Sequence, residues 1–170
     1  MTCVPTADRR PDPIAEARRL WSEHGWEHAA DGMAAITSLM RAQRIALARV
    51  EAVLKPHAIT FARYELLMLL YFSRRGSLPM ALISERLQVH PTSVTNAVDR
   101  LQAAGLVQRL MHPEDRRATI IELLPPGRKL AEAATADLNS QVFGAPWITP
   151  AAVTTLVDVI TEIRHDTGDF

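Results

Sequence analysis

Two short stretches carry side chains suited to reading the edges and backbone of a double helix. The first, Pro91–Leu101, reads PTSVTNAVDRL, and the second, His112–Arg117, reads HPEDRR. Val94, Val98 and Leu101 recur at helical spacing, so placing them inward leaves Thr92, Ser93, Thr95, Asn96, Asp99 and Arg100 on the outside or the flanks. Short polar groups at a helix N-terminus permit close approach to a major groove, and the helix start offers free amides to a phosphate. Asn96 can form paired hydrogen bonds to adenine, and the threonine methyls can meet thymine methyls. Arg100, one turn deeper, can reach a phosphate or a guanine edge.

The second stretch crowds His112, Arg116 and Arg117 beside Glu114 and Asp115. A guanidinium held out on such a tip can enter a narrow A·T-rich minor groove or grip its phosphates. Asp115 suits the bracing of a neighbouring arginine, while Arg109 and Arg128-Lys129 can meet the flanking backbone. The plain alternatives are a capped surface helix and a solvated turn. Helix and tip in succession, with positive charge around them, favour nucleic acid.

The elements around these stretches predict how they are held. Leu106–Met111 and Ala118–Leu123 are rich in strand formers and flank the polar tip, which predicts a two-stranded hairpin. Before the reading helix, Ser77-Leu78-Pro79 reads as a brief edge strand and Met80–Leu87 as a helix, with Gln88-Val89 as the turn and Pro91 opening the next helix. Thr60 caps an earlier helix whose buried face includes Phe61, Tyr64, Leu67, Met68 and Tyr71, closed by Arg74-Arg75-Gly76. A short helix is expected from Pro13 through Trp21 with Asp12 as cap, and a long one from a cap at Asp31 to Pro56. Pro125-Pro126-Gly127 resets the chain before a helix from about Arg128 to Val142, and Thr149-Pro150 starts a last helix with Val153, Leu156, Val157, Ile160 and Ile163 as its stripe.

Bulk composition sets outer limits. The 170 residues are 48% hydrophobic and 22% charged, which suits one folded domain able to bury a core. Net charge is zero, yet residues 31–129 carry +6 and residues 130–170 carry −5. A basic centre beside an acidic end is expected where one face meets phosphate. Cys3 is the single cysteine, which excludes an intrachain disulfide and a cysteine-rich zinc site. The first residues lack a long apolar run and Leu66–Phe72 is far too short to span a bilayer, so a cytoplasmic protein is expected.

With those residues in view, the chain resembles the MarR family of transcriptional regulators over roughly residues 31–168. The resemblance rests on HPTSVTNAVDRLQAAGLVQR followed by HPEDRRATIIEL and PPGRKLAE. It implies a mainly α fold with a small β-hairpin wing, a winged helix-turn-helix with N- and C-terminal dimerization helices. The implied division is an arm and short helix over 1–30, a dimerization or linking helix over 31–60, the DNA-binding region over 61–124 and C-terminal dimerization helices over 125–170. It puts Ser93, Thr95 and Asn96 on the recognition helix and Asp115, Arg116 and Arg117 on the wing. Many members carry arginine where this chain has Asn96 and glutamate where it has Gln102. The first departure implies a different base preference, and the second removes a charged brace near the helix end.

The resemblance also implies a homodimer on an inverted-repeat operator, with recognition helices about 34 Å apart. It implies repression relieved by a small phenolic or other aromatic acid bound between the dimerization helices and the winged module. Trp21, His24, Trp26, Arg44, Arg63, Tyr64 and Met68 are the candidate lining, arginine for a carboxylate and aromatics for a ring. The competing classes fare worse. HExxH, GxSxG and a glycine-rich phosphate loop are absent from the sequence, so neither enzyme activity nor a cofactor is expected. His24 and His28 stand four apart but Gly25 lies between them, and no metal is expected. The nearer alternative is a protein-interaction module that keeps the winged helix without reading DNA.

Overall fold

The computed structural model describes residues 11–111, 118–144 and 147–169. The chain divides into two compact units, residues 1–48 and 49–170.

In the first unit, α1 (Pro13–Glu23) opens with proline at its first position, and the Asp12 carboxylate accepts the Ile14 amide at 3.0 Å. It ends at His24 and Gly25, the latter at φ +83° where a side chain would be strained. The long helix α2 (Glu27–Leu54) starts one turn before the cap expected at Asp31. Asp31 therefore lies inside the helix, where its carboxylate takes the Arg18 guanidinium at 2.6 Å. Ile36, Leu39, Met40, Ile45 and Leu47 on α2 are exposed.

The second unit contains the extended core. The last turn of α2 supplies Val50 and Leu54, after which a 3-10 turn (Lys55–His57) and Ala58 in the left-handed region redirect the chain. Helix α3 (Phe61–Phe72) follows, with Leu66, Leu67 and Leu70 fully buried and Tyr64 nearly so. Each such leucine contributes roughly 1.5–3 kcal/mol over an exposed one, which makes α3 the central post of the unit. Strand β1 (Ser77–Pro79) leads to α4 (Met80–Leu87) and then α5 (Pro91–Ala103). Strands β2 (Val107–Met111) and β3 (Thr119–Leu123) form the antiparallel hairpin, with Arg109 opposite Ile121. β1 joins the outer side of β3, giving the order β1-β3-β2 and placing Leu78 opposite Ile121. The fold is mainly α with a small hairpin wing, as the sequence predicts.

Helix α6 (Pro125–Leu138) starts earlier than the expected Arg128, because the two prolines occupy its first turn instead of preceding it. It runs into a π-helical turn (Asn139–Phe143), and α7 (Pro150–Asp166) begins at a Thr149 cap whose hydroxyl accepts the Ala152 amide at 3.3 Å. Leu156, Val157, Val159 and Ile163 of α7 are exposed. Among the described residues, no helix is long and apolar enough to cross a membrane.

Candidate nucleic-acid interface

Helix α5 is pinned by its apolar stripe. Val94, Val98 and Leu101 are each at most 1% exposed, so the opposite face has a fixed direction. Thr92, Ser93, Asn96 and Arg100 lie on that exposed face, and Thr95 is half-buried on its flank. At the helix start the His90 ring accepts the Thr92 amide at 3.2 Å, and Ser93 next along the helix is exposed. The Thr95 hydroxyl donates to the Pro91 carbonyl at 3.0 Å, so its remaining offer outward is a lone pair and a methyl.

The wing is built on β2 and β3, whose last described pair is Met111 opposite Thr119. Leu110 and Met111 are exposed near that end. The tip, with Asp115, Arg116 and Arg117, lies outside the described residues.

Arg109 engages α5. Its guanidinium lies against α5, donating to Asp99 at 2.6 Å and to the Gln102 side chain at 2.7 Å. Gln102 thus keeps a bracing role that its lack of charge argued against. Arg128 lies over the Tyr71 ring, 4.6 Å from the centroid, and both it and Lys129 are exposed. The sequence missed the Arg109 and Arg128 contacts because each partner stands on another element.

Within the second unit the expected effector residues Arg63, Tyr64 and Met68 have different surroundings. Arg63 opens onto a cleft of about 680 Å³ between the start of α3 and α5, shared with Thr60, Asn96, Asp99 and Arg100. Tyr64 is buried, with its hydroxyl 3.0 Å from that of Thr135, and it lines neither this cleft nor the next. Met68 borders a different cavity of about 330 Å³ between α3 and α6, with Tyr71, Phe72, Glu132, Thr135 and Asn139. Arg63 and Met68 therefore do not share a pocket, because five residues along a helix turn them to different faces. In the first unit, Trp21 and Trp26 meet edge to face at 5.3 Å, His24 lies 5.8 Å from Trp26, and the Arg44 side chain donates to the Met40 carbonyl at 3.3 Å. Among the described residues no group of three or more His, Cys, Asp or Glu side chains is arranged to hold a metal ion.

Comparison with known proteins bears on this arrangement directly. Residues 59–119 match the model of the MarR family. The chain is similar to Sco5413, a MarR family transcriptional regulator from Streptomyces coelicolor, with 48% identity and a TM-score of 0.76 over 82% of this chain and 97% of that one. The chain belongs to the MarR family. It is also 36% identical over 85 residues to the uncharacterized HTH-type transcriptional regulator YhbI of Bacillus subtilis (strain 168), a match spanning 50% of this chain and 54% of YhbI. A structure of CouR from Rhodococcus jostii RHA1 bound to p-coumaroyl-CoA is similar at 25% identity and a TM-score of 0.63, over 74% of this chain and 87% of that one. In MarR terms, α4 and α5 form the helix-turn-helix and β2-β3 the wing, in a family of regulators rather than enzymes.

Proposed function

We propose that this MarR-family protein is a sequence-specific DNA-binding transcriptional regulator that works as a homodimer on an inverted repeat. The observation carrying this reading is the exposed Ser93, Asn96 and Arg100 face of α5, held outward by the buried stripe and flanked by a two-stranded wing. Thr92, Ser93, Thr95 and Asn96 read base edges, while Arg100, Arg116 and Arg117 hold phosphate or the minor groove. The exposed apolar positions of α2 and α7 support dimerization through the N- and C-terminal helices, with residues 61–124 as the reading module.

The regulator represses, because a dimer seated over a promoter blocks polymerase without needing an activating surface. A small aromatic or phenolic acid releases it by favouring a spacing of the two reading heads that no longer fits successive grooves. CouR, with its bound aromatic thioester, supports an aromatic effector class, and Met68, Tyr71 and Phe72 around one cavity support a site for a ring.

Selection of bound genomic fragments followed by sequencing tests the reading. An enriched inverted repeat, bound with a steep log-log salt dependence and released by an aromatic acid, is the expected result. Equal recovery of all fragments would instead favour the protein-interaction alternative.

A further inference from the structure

Arg109 stands on β2, the strand that leads to the wing, yet both ends of its guanidinium fork engage α5. Asp99 takes Nη2 and Gln102 takes Nη1, two residues one helical turn apart. A planar fork with two anchors resists both rotation and tilt of the helix it grips, which a single ammonium cannot do. Asp99 in turn lies one turn after Asn96, so the grip acts close to the base-reading side chains.

Between clamp and helix end the chain turns through Ala104, Gly105 and Leu106, with Gly105 at φ +69° and the Leu106 amide donating to the Leu101 carbonyl at 3.0 Å. That turn is the covalent link from α5 to β2, and Arg109 bridges it. The Asp99 side chain is 55% exposed and that of Arg109 29% exposed. A pair this wet adds little to fold stability, so its consequence lies in orientation.

Charge supports the same role. An uncompensated Asp99 on the exposed side of α5 would repel phosphate, and Arg109 cancels it. Gln102 accepts from the fork without adding a charge, so the three-residue cluster is neutral. Were Arg109 to leave for a phosphate, it would strand a carboxylate at the DNA surface and gain no net attraction.

We infer that Arg109 is a positioning residue for DNA reading: clamped to Asp99 and Gln102, it fixes the aim of α5 relative to the wing and does not itself contact DNA. The inference rests on the DNA-binding reading above.

The decisive variant is R109M/D99N, which removes the clamp while leaving local net charge unchanged. Affinities for the best selected genomic duplex and for a scrambled duplex are measured across a salt series, with far-UV circular dichroism and melting temperature as folding controls. Positioning lowers the selected-to-scrambled affinity ratio about tenfold and leaves the salt slope as in the parent. R109K, which keeps the charge but loses the fork, shows the same loss of ratio and carries the test if the double variant does not fold. Gln102→Leu, which frees one edge of the fork, shows a smaller loss of about threefold. A salt slope reduced by about one with the ratio preserved would assign Arg109 to a phosphate and overturn the inference. An unchanged ratio in folded R109M/D99N would overturn it too. A parent protein without any selected fragment would remove the DNA-binding reading itself, and the clamp's role with it.

Discussion

Gly127 packs so closely on Leu106 that a Cβ in its place would stand 2.2 Å from the Leu106 carbonyl oxygen. The same carbonyl accepts the Leu124 amide at 3.0 Å, so the backbone there has little freedom to retreat. This contact joins the first turn of α6 to the chain between α5 and β2. Gly127→Ala should therefore destabilise the protein by about 1–3 kcal/mol, as overpacking against a fixed neighbour does. Urea unfolding at constant m-value measures it, and an unmoved midpoint would show that the contact relaxes freely.

Glu65 on α3 offers a pH test. Although Glu65 is exposed to solvent, the protein around it partly desolvates its carboxyl and raises it above the ordinary 4.5, a modest effect at so open a position. A raised acid binds its proton more tightly in the folded protein. Its contribution to stability is therefore fully present below the unfolded value and is lost as pH rises through the folded one. Glu65→Gln should melt higher than the parent at pH 7, with the difference shrinking as pH falls towards 4. A difference that is constant across that range would remove desolvation as the cause.

The His57 ring and the Asp137 carboxylate meet at 2.7 Å, tying the 3-10 turn after α2 to α6. The His57 side chain is 14% exposed, so loss of its partner leaves a largely buried polar group unsatisfied. Asp137→Ala should cost about 1–2 kcal/mol, and a double-mutant cycle with His57→Ala should show coupling between the two. Strictly additive effects would mean that the two groups act independently.

Base reading and phosphate holding separate by their response to sequence and salt. Asn96→Ala should redistribute preference among selected sites, whereas replacing Arg116 and Arg117 together should weaken many sites alike and flatten the salt dependence. Variants that bind as the parent does in both respects would remove these residues from the interface.

The exposed apolar stripe on α7 gives the assembly its own test. Val157→Glu combined with Ile163→Glu should shift the solution mass from about twice 18.9 kDa to the single-chain value. An unchanged mass would place the dimer contacts elsewhere.

The outward face of α5 was legible in the order of its residues. Three apolar positions at helical spacing determine which side of α5 is buried, so Ser93, Asn96 and Arg100 follow as its outward residues by geometry alone. Proline at a helix start, a threonine cap and a polar tip between two β-rich runs are local signals, and local backbone chemistry was enough to order the helices and the hairpin. Two boundaries escaped because propensity at helix starts is permissive: α2 begins before its apparent cap at Asp31, and α6 takes Pro125 and Pro126 into its first turn.

What the chain could not declare in one dimension were the destinations of its long side chains. Arg109, Arg128 and Arg63 look alike in the sequence as guanidinium groups with no evident partner, yet one clamps Asp99, one covers Tyr71 and one faces a cleft beside Asn96. A guanidinium on a flexible stem can reach in many directions, and the charge or ring that captures it stands on an element far away in the sequence. Periodicity reports which face turns inward, whereas partner choice among exposed cations depends on distances that exist only after α3, α5, α6 and the sheet have packed.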